Sequence, residues 1–178
     1  MTMAPAARKF TLTVHIVSSI GWLGAVVTFL TLAVVGLTST EPEMVRGAYI
    51  AMEVNYLFAI VPFGLVSLVS GIVASLGTRW GLFKHYWVLV KLLVTIPTCF
   101  LMLVHVQPVS YLARVAAKAP LASSDLAALR LQLVAYAVAA TLILLTMTVL
   151  SVYKPRGRTR YGQRKQHSHS TPAAAGAA

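Results

Sequence analysis

Five polar or soft side chains recur along one apolar stretch of this sequence, at a spacing that places them on one face of a helix. The stretch runs from Trp87 to His105. Its stripe consists of Lys91, Thr95, Thr98, Met102 and His105. These residues are three or four positions apart, which is the period of an α-helix. Since the other faces are mainly Leu, Val and Ile, we predict that the stripe faces a bundle interior or a cavity, where ionisable groups inside membranes normally lie.

The two ends of the stripe lie at two different depths along the bundle, which we call the level of Lys91 and the level of His105. Lys91 and His105 lie about 21 Å apart along a straight helix, so they cannot hold one small ion together. At the level of Lys91, the first apolar stretch offers one helix face with His15, Ser18, Ser19 and Trp22. Because a neutral amine or imidazole can ligate iron, His15 and Lys91 are candidates for one joint site.

Simpler interpretations of both residues stay open. Lys91 can extend its ammonium group to the interface along its apolar stem, with Trp87 and Trp80 as interfacial anchors. His15 can be a packing histidine that is satisfied by a hydrogen bond.

At the level of His105, the stripe offers a methionine and an imidazole three positions apart. The preceding helix adds Met52, Glu53 and Asn55. A soft set formed by Met102, His105 and Met52 suits copper, whereas an acid and a histidine at one depth suit a proton path. Alternatively, Glu53 marks the interface at which its helix enters the membrane.

Composition indicates that these residues belong to a membrane protein. The 178 residues are 58% hydrophobic and 11% charged, whereas soluble domains carry about 25% charged residues. Four runs without acidic or basic residues are long enough to span a bilayer, and they cover 10–37, 54–78, 92–113 and 131–153. We predict an all-α, four-helix transmembrane bundle over 1–153, with helices at roughly 10–37, 46–77, 86–107 and 126–153. Pro108 is expected to end the third helix near Gln107.

Charge indicates the topology. The net charge is +11, and six cations follow the last run: Lys154, Arg156, Arg158, Arg160, Arg164 and Lys165. The positive-inside rule therefore predicts that both termini are cytoplasmic. The polar segment 154–178 is expected to be disordered, and its His167 and His169 are more simply solvated than metal-binding. The cations are not interleaved with aromatic residues, which argues against nucleic acid as a partner.

Small residues and prolines predict how the helices pack. Ser67, Gly71 and Ser75 share one helix face, and Gly21 and Ala25 share another. Such faces allow close helix contact, either within this bundle or in a homo-oligomer or with a membrane partner. Pro62 and Pro97 are expected to kink their helices. Cys99 is expected to be a small buried hydrophobe.

Two stretches resemble a broad group of bacterial four-helix membrane proteins. They are HIVSSIGWLGA, residues 15–25, and RWGLFKHYWVLVKLLVT, residues 79–95. The group includes HemJ-type protoporphyrinogen oxidases, copper-resistance D membrane domains and uncharacterised actinobacterial integral membrane proteins. The resemblance covers the first three helices, and it implies a multi-pass protein of the bacterial inner (plasma) membrane.

The resemblance also implies a cofactor. In HemJ-type proteins, a histidine on the first helix and a lysine after a tryptophan are associated with b-type haem and oxidase activity, and these correspond to His15 and Lys91. Trp22, Gly24 and Trp87 match the surrounding motifs. The segment VVTFLTLAVVG after the first motif departs from the basic, tyrosine-containing stretch of that family.

Three hypotheses follow from the sequence. The first is haem b or a porphyrin held between helices 1 and 3 near the cytoplasmic side, with His15 as axial ligand and Lys91 as second ligand or propionate partner. Its cofactor-binding residues would also include Trp22, Thr95, Ser18 and Ser19. The second is a copper-handling protein that uses Met102, His105 and Met52. The third is a non-catalytic component of a membrane assembly.

Overall fold

A computed structural model describes residues 3–77, 86–118 and 124–153, and every regular element within these ranges is a helix. The helices are α1 (Pro5–Thr38), α2 (Pro42–Asn55), a π-helical segment (Tyr56–Ile60), α3 (Val61–Gly77), α4 (Tyr86–Val104), α5 (Val106–Lys118) and α6 (Ser124–Tyr153). The segment 154–178 and the loop residues Arg79, Trp80 and Lys84 lie outside the described residues.

Four helical stretches are long and apolar enough to cross a membrane, as the sequence predicted. They are Pro5–Thr38, Pro42–Gly77, Tyr86–Lys118 and Leu126–Tyr153. The first two start earlier than predicted because a proline opens each helix, where its missing N–H costs nothing and its fixed φ suits the first turn.

The four stretches form a bundle in which each packs against its neighbours in sequence. α1 packs against α3 and α6, and α4 packs against α3 and more sparsely against α6. Within the described chain, no Cα atom of α1 lies within 8 Å of one in α4. The helices that carry His15 and Lys91 are therefore diagonal to each other.

The two predicted kink prolines, Pro62 and Pro97, lie within helical stretches. The five-residue π-helical segment directly precedes Val61 and Pro62, and the Val61 N–H donates to the Tyr56 carbonyl, which closes its wider turn. Pro97 lies inside α4.

The prediction that Pro108 ends the third helix near Gln107 is wrong. The chain continues as α5 to Lys118, and the interruption falls at His105, one turn before the proline. Pro108 has no N–H for the carbonyl four residues earlier, which belongs to Val104, and its ring crowds that carbonyl. The helical path is nevertheless maintained, because the His105 N–H donates to Leu101 and the Val109 N–H donates to His105.

Small residues let the first two stretches approach closely, so the predicted face on α3 serves this bundle. Ser67 and Ser70 are buried, and a Cβ at Gly71 would lie 2.9 Å from Cε1 of His15. A Cβ at Gly21 would lie 3.1 Å from the ring of Phe63. These contacts leave no room for larger side chains between α1 and α3.

Arg130 ties together the end of the bundle that holds α2 and α5. Its Nε donates to the Tyr49 hydroxyl at 2.9 Å, and its Nη2 donates to the carbonyls of Gly36 and Leu37. These carbonyls belong to the last turn of α1, where helical acceptors lack partners and a cation is favourable. Arg130 thus joins α6 to the end of α1 and to α2, a role that the search for uncharged runs missed.

Candidate functional site

His15 is held between α1 and α3 by its ring nitrogen. Its Nδ1 lies 3.0 Å from the Ser67 carbonyl and 3.3 Å from the Ser70 hydroxyl. Because a carbonyl oxygen can only accept, Nδ1 carries a hydrogen and donates. The same side chain packs against Gly71. His15 therefore has the hydrogen bond and the close contact of a packing histidine, while its Nε2 has no hydrogen-bond partner among the described residues.

The two serines near His15 support the same contact between α1 and α3. Ser18 and Ser19 both donate to the His15 carbonyl, at 3.1 and 2.7 Å. The Ser19 hydroxyl also lies 2.8 Å from the Ser67 hydroxyl. This polar cluster is local to the α1–α3 interface.

Lys91 lies across the bundle from His15 and binds a different helix. Its ammonium group donates to the Ser151 hydroxyl on α6. Among the described residues, no hydrogen bond joins Lys91 to His15. Thr95, one turn further along α4, is half-buried.

A cavity of about 110 Å³ lies further along the bundle, at the level of His105. Its walls come from α1, the π-helical segment, α4, α5 and α6. The principal side chains around it are Trp22, Val26, Phe29, Tyr56, Ile60, Thr98, Leu101, Met102, His105, Val109, Leu133, Tyr136 and Leu144, and α6 completes the wall with Ala137, Ala139, Ala140 and Ile143. Trp22, predicted to line the site of His15, therefore belongs to the level of His105.

The cavity is bounded on one side by side chains that are themselves exposed on the bundle surface. Leu101 is 47% exposed and Tyr136 is 37% exposed, and they lie on α4 and α6, which pack sparsely. The neighbouring alanines of α6 are too short to fill the space between the two helices. The cavity therefore approaches the lipid-facing surface between α4 and α6.

His105 is the ionisable side chain in this wall. Its Nδ1 lies 2.7 Å from the Leu101 carbonyl one turn earlier in its own chain, so Nδ1 is again the donor. Its ring meets that of Tyr136 edge to face, with the centroids 4.0 Å apart. In the neutral ring, Nε2 is then an acceptor.

The Nε2 atom of His105 has no hydrogen-bond partner among the residues that the structure describes. In the same residues, every fully enclosed polar side-chain atom has a partner, so Nε2 is not fully enclosed. Because the His105 side chain is buried and lines the cavity, we conclude that Nε2 opens into the cavity.

Two of the hydroxyl groups around the cavity direct their hydrogens to the protein backbone. Tyr56 donates to the Met102 carbonyl at 2.6 Å, and Thr98 donates to the Val94 carbonyl at 2.7 Å. The Tyr136 hydroxyl accepts from the Gln132 amide at 3.0 Å. The cavity is thus apolar apart from a few oriented polar atoms, of which Nε2 is the strongest unpaired acceptor.

The other residues predicted at this level lie outside the cavity wall. Met52 is buried in the core beside Tyr49 and Tyr56, outside the cavity wall. Asn55 donates to the Ala25 carbonyl at 2.9 Å and so ties α2 to α1. Glu53 is half-buried. Across the described ranges, no group of three or more His, Cys, Asp or Glu side chains is placed to hold a metal ion.

Sequence reasoning missed the α6 side of the cavity. Tyr136, Ala137 and Ala140 belong to an apolar run that fits a transmembrane helix. Its hydropathy does not indicate that these residues line a cavity. The cluster of alanines was the one available sign of space beside a helix.

Comparisons with known proteins add no assignment. No protein-family model, no curated protein and no solved structure matches this chain. The resemblance to HemJ-type and copper-resistance D proteins therefore stays a prediction, and function rests on the geometry of the chain itself.

Proposed function

We propose that this polytopic membrane protein binds a small, mainly apolar molecule that enters its bundle from the lipid. The observation that supports the proposal is the cavity at the level of His105, which combines apolar walls with one unpaired acceptor. Ligand sites commonly combine an apolar lining with a few polar groups that fix orientation.

The size of the cavity limits the ligand. An engineered apolar cavity of about 150 Å³ binds benzene, whereas sites for larger organic ligands span roughly 300–1,000 Å³. At about 110 Å³, this cavity suits a molecule no larger than a single ring.

Methyl NMR tests this function where the ligand would bind. The protein, labelled with ¹³C-methyl methionine in nanodiscs, would be titrated with benzene. Met102 lies in the cavity wall, whereas Met44 is exposed in α2. We expect a saturable shift of the Met102 resonance without a matching shift of Met44.

Two alanines on α6 provide the matched variants. Ala140→Phe should fill the cavity and abolish the Met102 response, since Ala140 is part of its wall. Ala135→Phe adds the same ring at an exposed position of the same helix and should leave the response intact. A response that persists in Ala140→Phe, or that never saturates in the native protein, would refute the proposal.

Haem b or a porphyrin is a second candidate, favoured by the geometry of His15. A metal-binding histidine commonly donates its other ring N–H to a carbonyl, and His15 does so with Ser67. His15 would offer Nε2 as axial ligand, and Lys91 would serve as second ligand or propionate partner after releasing Ser151. Bound haem would supply one-electron chemistry of the kind that a HemJ-like membrane oxidoreductase uses.

The surroundings of His15 and Lys91 meet only some of the requirements of a haem site. His15 packs against Gly71, and neither His15 nor Lys91 lines the cavity at His105. Protein purified from haem-replete cells should show a Soret band that changes with dithionite and disappears in His15→Ala and Lys91→Ala. Colourless protein would exclude haem b under these conditions.

Copper is the alternative at the second level, because Met102 and His105 share the cavity wall. Met52 lies outside that wall, so the set would offer two soft ligands in place of three. Cuprous ion added to the labelled protein should then shift Met102 and leave Met52 unchanged. If the joint variant Met102→Leu with His105→Leu binds copper as the native protein does, this alternative fails.

The third alternative, a component of a membrane assembly, would need a face for its partner. The small residues at Gly21, Ser67 and Gly71 contact side chains of this chain. We also propose that the protein lies in the bacterial plasma membrane with both termini in the cytoplasm. Single cysteines introduced at Ala4 and at Thr40 into a Cys99→Ala background should be labelled from opposite sides, with Ala4 inaccessible from outside the cell.

A further inference from the structure

We infer that the ligand of the cavity at His105 is a small aromatic ring with a hydroxyl group, such as a phenol or a hydroquinone. This inference rests on the proposed function and adds the chemistry of recognition. The ring would lie among the apolar walls, and its hydroxyl would donate to Nε2 of His105.

The acceptor is oriented before a ligand arrives. The hydrogen bond from Nδ1 to the Leu101 carbonyl fixes the tautomer of the neutral ring and limits rotation of His105. The edge-to-face contact with Tyr136 supports the same orientation. An apolar site with one unpaired acceptor favours a ligand with one donor, because a ligand without a donor would leave Nε2 buried and unsatisfied.

The hydroxyl oxygens in the wall keep lone pairs that can accept, but a neutral imidazole nitrogen is the stronger acceptor. The hydroxyls of Tyr56 and Thr98 already donate to backbone carbonyls, so they offer no free hydrogen.

Aromatic side chains make a flat ring the favoured shape. Trp22, Phe29, Tyr56 and Tyr136 all line the cavity, and aromatic rings gain stabilisation by stacked and edge-to-face contacts beyond the burial of their area. A phenol is also mainly apolar, so it can reach the cavity through lipid between α4 and α6.

Phenol and toluene form a suitable pair of probes, because they differ by a hydroxyl in place of a methyl group. Binding of each would be followed through the Met102 methyl resonance in the native protein and in His105→Leu. We expect the ratio of phenol affinity to toluene affinity to fall on the order of fivefold in His105→Leu, as for loss of one hydrogen bond. Because the lipid is the same, partitioning of the probes cancels in this comparison.

Thr98→Val is the matched control. It replaces another polar side chain of the same wall by one of similar shape, and it removes a hydroxyl that donates to Val94. The affinity ratio should stay at the native value, since Thr98 is not the acceptor for the ligand. If it falls as in His105→Leu, the assignment of the acceptor to His105 is wrong.

The outcomes separate this inference from the proposed function. If neither probe binds, both fail. If both bind with a ratio that His105→Leu leaves unchanged, the cavity is a ligand site but recognition by His105 fails. The native protein gives an independent test, because phenol should shift the ¹⁵Nε2 resonance of His105 and toluene should not; equal shifts would overturn the inference even where His105→Leu does not fold.

Discussion

Two histidines of the described helices, His15 and His105, use the same ring nitrogen in different surroundings. His15 and His105 both donate from Nδ1 to a backbone carbonyl. The acceptor for His15 belongs to another helix, and its ring packs against Gly71. The acceptor for His105 is one turn earlier in its own chain, and its ring lines a cavity. The space beside a buried histidine, more than its presence in a membrane segment, thus separates a packing role from a binding role.

The largest expected effect comes from a change at the close contact between Gly71 and His15. Gly71→Leu should destabilise the protein by about 3 kcal/mol or more, because overpacking a close contact forces side chains and backbone to move. The Cβ alone would lie 2.9 Å from the His15 ring. Thermal unfolding in mild detergent would measure the loss.

Gly24→Leu is its control. Gly24 also lies in a membrane helix, but among the described residues no atom beyond its own helix backbone lies within 4 Å of its Cβ position. It should leave the unfolding temperature near the native value. Equal losses in both variants would show that the effect of Gly71→Leu does not come from the contact with His15.

The next largest effect is expected at Arg130, at the end of the bundle that holds α2 and α5. Arg130→Leu should cost about 2 kcal/mol, since hydrogen bonds to charged groups contribute roughly 1.5–3 kcal/mol. It removes the bonds to Tyr49 and to the last carbonyls of α1. Arg46→Leu removes an exposed arginine of α2 and should change the unfolding free energy far less, so similar losses would contradict the role of Arg130 as a cap.

Replacing each histidine tests the comparison directly. His15→Ala should cost about 2 kcal/mol, because it removes a hydrogen bond between helices and opens space at a close contact. His105→Ala should cost about 1 kcal/mol, since its hydrogen bond is local and its ring already borders a cavity. Steric-trap or denaturant unfolding of both variants would give the difference, and a larger loss in His105→Ala would reverse our assignment of roles.

The sequence predicted the four spans because hydropathy and helix length depend on local composition. It also predicted that the stripe on α4 faces inward, and Met102 and His105 are indeed buried. The cavity was not predictable in the same way, because it depends on how the alanines of α6 oppose His105. Trp22 shares a helix face with His15 but lies about 10 Å further along α1, and it lines the cavity at His105.

Two polar residues show a second limit of sequence reasoning. Arg130 precedes the fourth uncharged run, so a search for such runs treated it as a boundary, although its side chain reaches α1 and α2. Pro108 correctly indicated a break, but the break falls at His105 because a proline disturbs the carbonyl one turn before it.

The smallest expected effect comes from removing the hydrogen-bond acceptor of Lys91, and it separates Lys91 from the two histidines. Ser151→Ala removes the hydroxyl that accepts from Lys91, and it should cost about 0.5 kcal/mol, in line with the average hydrogen bond between membrane helices. The cost stays small because a lysine on a flexible stem can turn its ammonium group towards water or lipid headgroups. Thr146→Ala, at an exposed position of α6 with a hydroxyl bonded within its own helix, is the control for unfolding measurements. A loss of several kcal/mol in Ser151→Ala alone would mean that Lys91 has no such alternative and is a fixed buried charge, which would strengthen the case for a functional site shared with His15.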